Sequence, residues 1–204
     1  MRTTTAIVLE VVFAVLAFGV RTWVQWRRTG STGLVLPRRG APPVERLGAG
    51  LFVLAIVLLV VAPIAAASGL DPWPPLDNAA GFTVGALLAV AGIVLCVAAQ
   101  LTMGDSWRIG VDQAETTQLV TSGVFASVRN PIFSAMALAA AGFALLLANL
   151  WALAALVALL VGLELQVRFV EEPYLRRTHG RTYDSYAAQA GRFIPSVGSE
   201  GSRR

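Results

Sequence analysis

The sequence predicts an all-α protein, a polytopic membrane helix bundle of five transmembrane helices that ends in a C-terminal helical hairpin. Three observations carry this. Hydrophobic residues are 56% of the 204 and charged residues only 14%, against about 25% charged in a soluble domain. Most apolar residues fall in blocks of about 18 or more with few charges, the length needed to cross a hydrocarbon core. Polar segments rich in Gly and Pro separate the blocks and read as connections.

The first block is residues 4–24, interrupted by Glu10. No small-x-small cleavage site precedes the arginines that follow, so it reads as a retained helix rather than a signal peptide. Glu10 is expected to face the bundle, since a carboxylate facing lipid is costly. Residues 25–46 are basic and broken by Gly30, Gly33, Pro37, Gly40, Pro42 and Pro43, which argues against one regular element. The second span is 47–67, with Pro63 expected to bend or end it. Residues 68–78 form an acidic loop with Asp71, Asp77 and an interfacial Trp73. The third span is 79–101, and 102–128 is too polar to cross. The fourth and fifth spans, 131–148 and 150–170, meet in a tight turn at Asn149. Residues 1–195 read as a single integral membrane domain, with a disordered tail at 196–204.

The basic residues are all arginine, concentrated in 25–46 and the C-terminal region, with Arg108 in 102–128. Arginines flanking apolar spans are a topology signal, not a nucleic-acid footprint. They predict an N-terminus outside, Arg2 notwithstanding, and a cytoplasmic C-terminus. Residues 118–130 and 171–186 then share the cytoplasmic face. Arginine without lysine, among many Ala, Val and Leu, points to a GC-rich bacterial genome and so to a bacterial plasma membrane. Partners are expected to be the lipid bilayer and a lipophilic molecule; the oligomeric state stays open.

Several chemistries are excluded. One Cys (Cys96) and one His (His179) make neither a disulfide nor a usual zinc set. No P-loop, dinucleotide-binding GxGxxG or GxSxG nucleophile elbow occurs. What remains is polar residues at the span ends. Glu164, Arg168, Glu171 and Glu172 stand at i, i+4, i+7 and i+8, which predicts one shared helix side. They read either as ion pairs that fix the helix or as a grip on a charged ligand. At Arg129-Asn130-Pro131, Asn130 reads as the N-cap of the fourth span with proline in its first turn. Alternatively, its amide N–H₂ binds a ligand.

These residues belong to an ordered set. Leu119-Val120-Thr121-Ser122-Gly123-Val124-Phe125 precedes Arg129-Asn130-Pro131-Ile132-Phe133. After the hairpin come Glu171-Glu172, Leu175, Gly180, Tyr183, Tyr186 and Arg192-Phe193-Ile194-Pro195. Over residues 117–195 this set resembles the isoprenylcysteine carboxyl methyltransferases and the wider group of membrane phospholipid methyltransferases. The resemblance implies S-adenosylmethionine as cofactor, with a methyl group passed to a lipophilic or prenylated acceptor at the cytoplasmic membrane face. It places Thr117, Gln118, Leu119, Val120, Phe125, Asn130, Pro131, Ile132, Phe133 and Glu171 at the cofactor. It gives Arg168, Glu171 and Glu172 the catalytic positions, and implies no metal. The chain departs from the family pattern where Asn130 replaces a histidine and Phe125 and Phe133 replace tyrosines. Glu171→Gln and Glu172→Gln are both expected to weaken cofactor binding more than folding. Two other readings stay open: a membrane reductase using NADPH, and a non-catalytic protein that keeps the fold.

Overall fold

Long apolar runs without a strand period fold as helices, because in lipid every backbone polar group must be satisfied within its own segment. The computed structural model describes residues 1–35, 37–108, 110 and 118–196. Among the described residues it is an all-α polytopic membrane bundle. Its helices are α1 (Arg2–Ala14), α2 (Arg21–Thr29), α3 (Pro43–Ala67), α4 (Ala79–Met103), α5 (Pro131–Leu147), α6 (Leu150–Gln166), α7 (Glu172–His179) and α8 (Arg181–Gln189). Wide π-turns at Val15–Val20 and Val167–Glu171 join α1 to α2 and α6 to α7. Four runs are long and apolar enough to cross a membrane: Arg2–Thr29, Pro43–Ala67, Ala79–Ser106 and Leu150–His179. A fifth apolar helix, α5, is shorter. Large apolar side chains such as Val60, Leu87 and Val94 stand exposed on the outer faces, as lipid-facing residues do. Of the expected disordered tail, residues 197–204 lie outside the described residues.

The helices run further than the polar residues suggest. The first continues through Gln25 to Thr29 and stops at Gly30, whose φ of 76° is left-handed. Gln25 does not break it, because Gln25 Nε2 donates to Asp105 O at 2.8 Å. Pro63 does not end α3, which runs on to Ala67. The last run passes its expected end at 170, with Pro173 in the first turn of α7, where proline is tolerated.

Packing follows small residues. The main pairings are α4 with α5 and α3 with α6. Gly92 and Gly142 let the backbones of α4 and α5 touch. A Cβ at Gly142 would lie 2.4 Å from Ala89 N, and one at Gly92 would lie 2.5 Å from Ala139 N. Close approach of this kind drives helix association where lipid removes the hydrophobic incentive. Gly142→Ala is therefore expected to destabilise by about 1–3 kcal/mol through overpacking. Gly50→Ala on α3, where a Cβ meets nothing within 4 Å, should be neutral. Unfolding curves of both variants in detergent check this.

The end away from the Arg129–Pro131 junction is pinned by Arg2. Its guanidinium pairs with Asp77 at 2.8 Å and donates to the carbonyls of Leu145 (3.0 Å), Leu146 (3.2 Å) and Leu76 (2.8 Å). It thus satisfies orphan carbonyls at the end of α5. The α5–α6 turn is two residues long, with Ala148 left-handed at φ 46°. Asn149 caps α6 by accepting from Ala152 N and donates to Ala62 O at 3.0 Å.

Candidate functional site

At the opposite end, the chain between α4 and α5 is held by the C-terminal segment. Tyr186 OH donates to Phe125 O at 2.7 Å. Burial, then the neighbouring Tyr183, push the Tyr186 hydroxyl up to about 12, so it stays a neutral donor. Arg129 N donates to Gly191 O (2.7 Å) and Gly191 N to Ser127 O (3.0 Å), where Val128 and Gly191 pair in parallel. Ser134 Oγ donates to Phe193 O at 2.5 Å. The residues just before α5 thus receive a short strap, 190–195.

Asn130 is part of this stitching. It occupies the N-cap position of α5, yet its side chain makes no capping bond. Its backbone N and its Nδ2 both donate to Arg192 O, at 3.1 and 3.0 Å. A carbonyl can only accept, so the amide orientation is fixed and Oδ1 is left as an acceptor. A histidine donating one ring N–H to Arg192 O would present a lone pair in the same way. Asn130→His should therefore preserve the strap and the melting temperature. Asn130→Asp removes the donor and sets a carboxylate against Arg192 O, and should lower the melting temperature and loosen 190–195. Hydrogen exchange across 190–195 reads the difference, and equal protection in both variants would contradict it.

Glu172 ties the strap to the helices. It is buried, 4% exposed. Its Oε1 accepts from Arg129 Nη1 (3.1 Å) and Arg192 Nε (2.7 Å), and its Oε2 from Arg192 Nη2 (3.1 Å). The hydrogen bond to Glu172 holds the Arg192 guanidinium above its ordinary range. Arg129 Nη1 also donates to Tyr183 OH at 3.4 Å. Removal of the Glu172 carboxylate is therefore expected to affect folding as well as the cleft.

The predicted one-sided cluster is also corrected. Each residue of the π-turn Val167–Glu171 advances less about the axis than in an α-helix. The glutamate pair is thereby rotated away from Glu164 and Arg168. Those two pair with each other on the surface, 38% and 51% exposed. Glu171 and Glu172 face a cleft, and Arg168 is not among its lining residues.

That cleft encloses ≈ 1070 Å³, its open mouth included. Of the residues expected at the cofactor, Gln118, Leu119, Val120, Phe125, Asn130, Pro131, Ile132, Phe133 and Glu171 all line it. Thr117 lies outside the described residues. The spans contribute the apolar residues Phe18, Phe52 and Met136 to its lining, and the polar lining includes Arg108, Arg129, Glu171, Glu172, Tyr183 and Tyr186. Phe18 belongs to the first π-turn, where Gln100 Nε2 donates to Ala17 O at 2.9 Å. Trp107, fully buried in the wall, is stacked 4.7 Å below the Arg21 guanidinium. Arg21 also bonds Gly104 O and Gln25 Oε1. Among the described residues no group of three His, Cys, Asp or Glu could hold a metal ion.

Sequence reading did not assign Arg129, Trp107 or Gln100 to the site. A lone amide such as Gln100 in an apolar span is a signal, since it must find a partner. Phe18 and Phe52 carry none, being apolar residues in apolar runs.

The phospholipid methyltransferase family model matches residues 80–182, from the start of α4 into α8. No curated protein matches the chain. The match spans half of the sequence and covers most of the cleft, and the chain belongs to the phospholipid methyltransferase family of integral membrane methyltransferases.

Proposed function

We propose that the cleft binds S-adenosylmethionine and that the protein transfers its methyl group to a lipophilic acceptor, phospholipid-like or prenylated, at the cytoplasmic membrane face. One observation carries the reading. The polar segment 118–133 and Glu171 meet apolar residues from the spans in one cleft. A water-soluble donor and a membrane-held acceptor need such a meeting point. The residues fit the donor. Phe125 and Phe133 supply ring walls, and Glu171 supplies a carboxyl group for a cationic amine or sulfonium.

When bound, the sulfonium supplies both the methyl group and its own leaving group, a neutral thioether. The chain's part is positioning and exclusion of water, and proximity alone contributes roughly 7–11 kcal/mol. Gln118, Leu119, Val120, Asn130, Pro131 and Ile132 wall the donor, with Thr117 next to them in sequence. Glu171 lines the cleft, where Gln166 donates a hydrogen bond to it and Arg108 attracts it. It takes the acceptor's proton when the acceptor is an amine or alcohol. Glu172 positions the strap. Arg168 holds Glu164 at the bilayer edge rather than the substrate.

Titration calorimetry of detergent-solubilised protein with S-adenosylmethionine, its demethylated product and NADPH tests this. Binding of the first two and not the third is expected. Binding of NADPH alone would replace the reading with a reductase. For orientation, the arginine-rich ends of α2 and α7 are placed in the cytoplasm and Asp71 outside, with residues 1–195 as one membrane domain. Cys96, the one native cysteine, is buried. A cysteine at Ser199 should thus react only from the cytoplasmic side, and one at Asp71 only from outside. Labelling of both from one side would contradict the topology.

A further inference from the structure

Two residues of the cleft lining hold hydrogen-bonding atoms that the chain itself does not use. Trp107 is 1% exposed, and its indole Nε1 is buried without a hydrogen-bond partner. The Arg21 guanidinium covers one face of the ring at 4.7 Å. Gly33 backs the Cε3–Cζ3 edge so closely that a Cβ there would stand 2.9 Å from Cζ3. Trp107 lines the cleft, and neither Arg21 nor Gly33 does. The N–H stands on the edge of the indole opposite Gly33. An indole can only donate, and a buried donor left unpaired is costly.

The second residue is Gln100, 3% exposed and also in the lining. Its Nε2 donates to Ala17 O at 2.9 Å. A carbonyl can only accept, so the amide cannot be turned round, and Oε1 is left as an acceptor. Gln100 and the neighbouring Phe18 of the lining both come from membrane-grade runs, Ala79–Ser106 and Arg2–Thr29. Ala17 and Arg21, which brace Gln100 and Trp107 from behind, stand about one helical turn apart in that first run.

This donor and this acceptor are both uncharged. An ammonium group can only donate; a carboxylate, a phosphate ester or an ether oxygen can only accept. A trans amide does both, but on opposite edges. A hydroxyl does both at one atom.

We propose that Trp107 Nε1 and Gln100 Oε1 bind a neutral hydroxyl of the methyl acceptor, so that the acceptor is a lipophilic molecule with a hydroxyl head. The inference rests on the cleft being the methyl-transfer site and names the class of acceptor it takes. A site built to hydrogen-bond a hydroxyl rejects the analogue that lacks it, because its own buried groups are then left unpaired.

The test uses farnesol, farnesyl methyl ether and farnesylamine as probes in one set of micelles. The ether can still accept from Trp107, and the ammonium can still donate to Gln100. Protein labelled with nitrogen-15 tryptophan gives an indole N–H signal for each of the five tryptophans, assigned by replacing each with phenylalanine in turn. Farnesol should move the Trp107 signal and bind the parent about tenfold or more tighter than either analogue. Gln100→Leu should erase the preference over the ether, and Trp107→Phe, which keeps a ring under Arg21, the preference over the amine. If a variant fails to fold, the parent decides: the Trp107 signal should move with farnesol and stay in place with the amine. A parent without the preference, or a preference undiminished in either variant, overturns the proposal. So does a Trp107 signal that moves with S-adenosylmethionine and not with farnesol. A parent that binds no S-adenosylmethionine at all instead overturns the reading of the cleft.

Discussion

Glu172→Ala should cost about 3–5 kcal/mol of stability, the range for removing one partner of a buried ion pair. The carboxylate is 5% exposed and holds Arg129 and Arg192 together. Without it two guanidiniums face each other beside the strap. The loss should appear in equilibrium unfolding in detergent and as rapid hydrogen exchange at 190–195. Arg192→Ala should cost less, because Arg192 is 28% exposed and Arg129 can still pair with Glu172. In the double variant the two costs should fall short of additive, since both remove one interaction. A Glu172→Ala protein as stable as the parent would show that the trio does not hold the strap.

Glu171→Gln should behave in the opposite way. Glu171 lines the cleft, and it is Glu172 rather than Glu171 that pairs with Arg129 and Arg192, so stability should stay close to that of the parent. Affinity for S-adenosylmethionine should fall about tenfold or more, as expected when a hydrogen bond to a charged group becomes neutral. Methyl transfer to an amine or alcohol acceptor should fall about a hundredfold or more, the contribution of a general base. Unfolding and calorimetry on the same preparation check both. Unchanged donor binding would make Glu171 a helix-end residue and remove it from the site.

The two neighbouring glutamates thus part company, which their sequence could not reveal. Both end a long apolar run, and spacing alone groups them with Glu164 and Arg168. The separation comes from the π-turn Val167–Glu171, for which the apolar run gives no local signal. The spans themselves were legible, because lipid demands about 20 apolar residues in a row. Their ends were less so. Gln25 stays helical because Asp105 O accepts its amide, a partner 80 residues away. Most of the cleft wall was legible through the ordered motifs of 117–195. The role of Asn130 was not, since its partner Arg192 O lies 62 residues on. Nor was the apolar part of the lining, where Phe18 and Phe52 look like any other lipid-facing residue until the helices are packed.

The most direct test of the central claim is methyl transfer itself. The protein, purified in mixed micelles with a bacterial lipid extract, is incubated with S-adenosylmethionine carrying a tritium-labelled methyl group. The account predicts label in the organic-extractable fraction with the parent and a loss of about tenfold or more with Glu171→Gln through weaker donor binding, rising to about a hundredfold or more where the labelled lipid is an amine or alcohol, at equal folded protein. Label that stays wholly in the aqueous phase with the parent, or enters the lipid equally with both proteins, would contradict it.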